Sequence, residues 1–112
     1  MNLDMLATEL HRTSVEKGFW DPLKRMDEKD SFIFYSKQIA MIHSEATEVL
    51  EALRKNKGQR EVVDEIADIL IRALDLWAGL DEAGITNTSL QTALFAKADT
   101  NRNRPILHGV KG

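Results

Sequence analysis

The sequence contains no cysteine, which excludes disulfide staples and thiolate metal sites and is compatible with a reducing compartment. No apolar run reaches the ~18 residues of a membrane span, and Asp4 and Glu9 stand where a secretory leader would carry cations followed by unbroken apolar chain. The expectation is a soluble, untargeted, cytoplasmic protein with no membrane partner. Basic residues are not in surplus: 15 Lys and Arg against 18 Asp and Glu leave a net charge of −3. That balance excludes a broad footprint for long nucleic acid but leaves room for a local basic site that takes a nucleotide. Repeats and low-complexity segments are also missing, and only two prolines, Pro22 and Pro105, interrupt the chain. At 112 residues it reads as a single domain, 1–112, with one core small enough that oligomerisation would help it bury more.

What remains is helical periodicity. Leu3, Leu6, Ala7 and Leu10 repeat at helical spacing after Asn2, and Gly18 is a plausible stop, so residues ~3 to 17 form a first helix. In Gly18-Phe19-Trp20-Asp21-Pro22 the proline biases Asp21 away from helical angles, which puts two large aromatics on an irregular turn. Phe19 and Trp20 there serve either as a hydrophobic plug over a bundle end, the commoner use, or as a flat surface for a nucleobase. Asp30 or Ser31 can cap a second helix of ~24 residues, ~36 Å long, with the stripe Ile39, Ile42, Ala46, Val49, Leu50 and Leu53. A third, from about Glu61 to Leu80, turns Val62, Val63, Ile66, Ile69, Leu70, Ala73 and Trp77 to one face. Gly79 and Gly84 loosen its end, and Thr88 or Ser89 caps a fourth running to about Thr100. The expected fold is all-α, a bundle of four main helices completed by a homodimer or homotetramer.

Within this pattern stand two acid pairs, Glu45/Glu48 and Glu65/Asp68. A step of three puts both acids of a pair on one side of a helix, about one turn apart. Between the pairs, Arg54 to Arg60 is polar, with Gly58 suited to a left-handed cap, so the two helices form an antiparallel hairpin that can bring the acids face to face. The charged arc of the third helix, Glu61, Asp64, Glu65, Asp68, Arg72 and Asp75, is of a kind that ordinarily faces solvent. Its surplus of acids, with Arg72 the one cation, points the other way, because a solubilising face usually interleaves the signs. An all-oxygen donor set without cysteine or paired histidine favours Mg²⁺, Mn²⁺ or Ca²⁺ over zinc. Magnesium fits best: it accepts carboxylates together with phosphate oxygens, and no oxygen-rich calcium loop is visible. The spacing lacks the histidines of a di-iron bundle, and His43 is more ordinary as a surface residue than as a ligand. On the fourth helix the line Leu90, Ala93, Leu94 continues into Lys97, Asn101 and Arg104, either snorkelling cations at a helix end or a phosphate-binding series.

The paired E-x-x-E and E-x-x-D on consecutive helices resemble those of the MazG-like, all-α nucleoside triphosphate pyrophosphohydrolases. Glu16 to Asp21 is similar to that family's opening segment. Ile42-His43-Ser44-Glu45, Glu48 and Glu51 to Arg54 resemble its first acidic helix, Glu65-Ile66-Ala67-Asp68 its second, and Lys97, Asn101, Arg104-Pro105 and His108-Gly109 its closing segment. The resemblance implies cleavage of a (deoxy)nucleoside triphosphate between its α and β phosphates, giving a monophosphate and pyrophosphate. It implies Mg²⁺, with Mn²⁺ as a substitute, on Glu45, Glu48, Glu65 and Asp68. Glu48, or else Glu45, would activate water. Lys97, Asn101 and Arg104 would meet the phosphates and Phe19 or Trp20 the base. Two alternatives stand beside this reading: a phosphoribosyl-nucleotide pyrophosphohydrolase of the same fold, and a non-catalytic helical interaction module whose acids are surface.

Overall fold

A computed structural model describes residues 1–105; the tail from residue 106, with its His108-Gly109 pair, lies outside them. Four α-helices follow one another: α1 (Leu3–Glu16), α2 (Glu28–Arg54), α3 (Gln59–Glu82) and α4 (Leu90–Arg102), with a 3-10 turn at Asp21–Arg25. There is no strand among the described residues, and no described helix is long and apolar enough to cross a membrane.

Three of the four α-helices begin where a side chain can accept one of their free backbone N–H groups, and α3 begins on Gly58 without such a cap. Asn2 takes that of Met5, Asp27 that of Asp30 and Ser89 that of Thr92. The second helix therefore starts earlier than Asp30 or Ser31 would place it. Asp27 wins because its carboxylate reaches the N–H three residues on, at Asp30, and Glu28 and Asp30 place charges that favour a helix N-terminus. The ends of α1, α2 and α3 share one device. The residue after the cap turns left-handed, at Gly18 (φ 87°), Asn56 (φ 53°) and Gly84 (φ 79°), and the next N–H reaches back to the carbonyls of Ser14, Ala52 and Leu80. The left-handed cap of α2 expected of Gly58 thus falls to Asn56, while Gly58 opens α3 with a positive φ of its own, 100°.

The helix α3 is central, packed against α1 on one side and antiparallel α2 on the other, whereas α4 packs chiefly on α1. Ala7, Leu74 and Ala78 are buried at the heart, with Leu3, Leu10, Trp77 and Leu90 around them. A second buried group is built on Trp20, which lies 5.2 Å from Phe34 between ring centres and 4.7 Å, edge on, from His11. The turn after α1 thus carries a plug. Gly79 does not loosen α3; it gives the indole somewhere to lie, since a β-carbon there would overlap Cη2, Cζ3 and Cζ2 of the ring.

The face expected to be buried on α3 is largely open. Val63, Ile66, Leu70 and Ala73 are exposed, and across the hairpin so are Ile39, Ala46, Leu50 and Leu53 of α2. The reason is geometric: the apolar belt on each helix is wider than the strip a single neighbour can cover. The core forms one stripe further round α3, at Leu74 and Ala78.

The N-terminal turns of α1 and α4 are tied by polar groups. Asp4 accepts hydrogen bonds from the Ser89 hydroxyl and the Gln91 N–H, while Gln91 Oε1 accepts the Leu3 N–H at 2.9 Å.

Candidate functional site

Hairpin geometry decides which acids meet. Glu45 on α2 faces α3, where Glu65 and Asp68 lie one turn apart, and one carboxylate oxygen from each falls within 4.8 Å of the other two. Glu45 and Glu65 are half-buried, and Asp68 is exposed. Glu48 does not join them. Three steps of 100° leave it about 60° round α2 from Glu45, on the exposed side. Its charge is still felt: the Glu65 carboxyl is held above its ordinary value of 4.5, first by partial burial, then by repulsion from Asp68, Glu48, Glu45 and Glu61. The donor set is three carboxylates from two helices, all hard oxygen, and this suits a hard divalent cation whose remaining ligands are water or phosphate.

Beside the acids a cleft of about 450 Å³ opens between α1, α2 and α3. Glu45, Asp68, Arg72 and Asp75 line it together with Thr13, Ser14, Lys17, Phe19, Gln38 and Met41. Three acids and two cations therefore share its walls, and exposed Phe19 supplies an aromatic edge. Arg72 is not a solvated charge. Its Nε donates to Oε1 of Glu45 at 3.0 Å across the hairpin, and one terminal nitrogen lies 3.7 Å from Met41 Sδ.

The two aromatics of the turn divide their roles. Phe19 is at the cleft. Trp20 is 5% exposed, and its indole N–H is shared between Ser14 Oγ at 3.0 Å and Asp75 at 3.1 Å, so it serves as the plug and offers no free face to this cleft. It borders a separate hollow of about 280 Å³ with His11, Leu23 and Lys24. On α4, Lys97 and Asn101 are exposed, as is Arg104 just beyond its end, and none of them lines the cleft.

His11 and Asp75 were not singled out by sequence reasoning. His11 is buried, with Nδ1 donating to Asp75 Oδ1 at 2.7 Å and Nε2 3.3 Å from Glu82. An ionised carboxylate only accepts, so the short contact with Asp75 places a proton on Nδ1. The signal was there: His11 follows Ala7 by four residues, so it shares the buried line of α1 and needs a partner.

These elements define an all-α protein whose three packed helices hold converging carboxylates at the mouth of a mixed-charge cleft. No protein-family model, curated protein or solved structure matches the chain.

Proposed function

We propose that this protein is a Mg²⁺-dependent nucleoside triphosphate pyrophosphohydrolase, converting a (deoxy)nucleoside triphosphate and water into the monophosphate and pyrophosphate. The observation that carries the reading is the convergence of Glu45, Glu65 and Asp68 within 4.8 Å beside a cleft that Glu45 and Asp68 line together with Lys17, Arg72 and Phe19. Acids so placed repel one another, and that repulsion adds to partial burial in holding the Glu65 carboxyl above its ordinary value. A cation resolves it and makes the pocket able to take a polyanion. The likeness of both acid pairs to those of MazG-like enzymes supports the same reaction.

In this reading Glu45, Glu65 and Asp68 would hold Mg²⁺, which would supply electrostatic stabilisation of the phosphate oxygens at the phosphoanhydride bond. Glu48, exposed and outside the converging set, is free to orient or deprotonate the attacking water. Lys17 and Arg72 offset charge on the phosphates, and Phe19 meets the base. Catalysis is then chiefly positioning and electrostatics. Lys97, Asn101 and Arg104 stand away from this cleft, so a role for them at the phosphates requires the acids of a second copy. The open apolar face of α2 and α3 favours such a copy, since each large aliphatic side chain covered there gains about 1.5–3 kcal/mol.

The test is a panel of canonical and modified (deoxy)nucleoside triphosphates, together with phosphoribosyl nucleotides, incubated with Mg²⁺ or Mn²⁺. Pyrophosphate release without orthophosphate is expected; survival of the whole panel removes the enzyme assignment. The same open face also favours a second reading, a helical interaction module with surface acids. That reading requires a melting temperature indifferent to millimolar Mg²⁺, whereas a metal site requires it to rise.

A further inference from the structure

Arg72 is the one cation on the acidic arc of α3, and its position is specific. It lies one turn beyond Asp68 and reaches across the hairpin to Glu45, one of the three converging carboxylates, with a 3.0 Å hydrogen bond. It therefore already supplies, from within the chain, part of the positive charge that the acids lack. It is also not locked in place. About a third of its side chain is open (34%), its second contact is a methionine sulfur, and it borders the cleft that Lys17 and Phe19 also line. A guanidinium presents a planar fork of donors that suits phosphate oxygens as well as it suits a carboxylate.

We infer that Arg72 is a tethered counter-ion that changes partners. It neutralises Glu45 while the carboxylates hold no metal, and it passes to a phosphate oxygen of the ligand in the cleft when a divalent cation takes Glu45. This inference rests on the pyrophosphohydrolase reading and adds a coupling between metal loading and phosphate binding through one side chain. Its signature is a pair of effects of opposite sign. Losing Arg72 frees Glu45 for the metal, so the cation binds more tightly, and it removes a donor from the cleft, so the triphosphate binds more weakly. A purely structural arginine would shift neither affinity, or would weaken both.

The experiment uses the full chain, with Arg72→Met and Arg72→Lys as variants and circular dichroism as the check on folding. Mn²⁺ binding without nucleotide is read by the electron paramagnetic resonance of the free ion. Binding of an α,β-methylene triphosphate with Mg²⁺ is read by calorimetry. In Arg72→Met the Mn²⁺ Kd should fall about two- to fivefold, the range of a partly exposed ion pair. The analogue Kd should rise about tenfold or more, the range of a charge-assisted hydrogen bond. Arg72→Lys keeps the charge but loses the fork, so it should weaken the analogue while leaving Mn²⁺ near the wild-type value; should the methionine variant not fold, equal analogue affinity in the lysine variant overturns the inference. Mn²⁺ affinity unchanged or weakened in a folded Arg72→Met overturns it as well, with the enzyme reading intact as long as the wild type binds both ligands. A wild type that binds neither ligand removes both.

Discussion

The six-membered ring of Trp20 lies against the bare α-carbon of Gly79, and this contact joins the turn after α1 to the last turn of α3. Gly79→Ala should lower stability even though alanine is the better helix former. The helix gain is roughly 0.5–1 kcal/mol. The cost of forcing a methyl group into a buried rigid ring is about 1–3 kcal/mol. Urea unfolding should show a net loss, with a changed Trp20 emission in the native state.

Asp75 is the shared acceptor beneath the same turn. Asp75→Ala leaves His11 Nδ1 without its partner and Trp20 with only Ser14. A loss of about 1–3 kcal/mol is expected, the range for stranding a buried donor. Thermal unfolding of the metal-free protein measures it.

The raised Glu65 carboxyl makes a pH prediction whose sign is fixed. The folded state holds the Glu65 proton more tightly than the unfolded state does. Its contribution is therefore absent below the ordinary 4.5 and becomes unfavourable as pH rises from there through the raised folded value. Glu65→Gln, measured with chelator present, should raise the neutral-pH melting temperature relative to wild type, and the difference should vanish as pH falls to that of an ordinary glutamic acid. With Mg²⁺ present the order should reverse, because the variant has lost a ligand.

Glu48 and Glu65 should separate in their effects. Glu48→Gln is expected to keep most of the Mg²⁺-induced rise in melting temperature while lowering kcat by about 10²–10⁴-fold, the contribution of a positioned base. Equal loss of the Mg²⁺ effect in both variants would instead make Glu48 a ligand.

Leu70 stands on the open face of the hairpin at 58% exposure. If that face joins two copies, Leu70→Glu should convert the assembly to monomers in light scattering, without loss of helical signal. A wild-type chain that is already monomeric at high concentration would remove the second copy, and with it any role for Lys97, Asn101 and Arg104 at the phosphates.

Much of this was legible in the sequence because helix geometry is local. Asn2, Ser89 and the three-residue acid steps act over a single turn, and the meeting of Glu45 with Glu65 and Asp68 follows from two such turns and a short connection. What the sequence did not disclose depends on which edge of a wide apolar belt each neighbour covers. Leu70 and Val63 looked like core but lie open, while Leu74 and Ala78 are the core. The Arg72–Glu45 pair was hidden for a related reason: an arc drawn on one helix shows an arginine among acids, but not the acid waiting on the next. Asp75 was read as part of that same surface arc, and only the packing of α1 turned it into the partner of His11.

The polar tie between α1 and α4 has a mechanical consequence. Because Asp4 and Gln91 each serve the other helix's opening turn, the fourth helix is fastened to the first at its root, while Leu94 and Phe95 further along it are bare. A substitution that loosens that joint, at Asp4 or Gln91, would therefore be felt about two to three turns away, at Lys97 and Asn101.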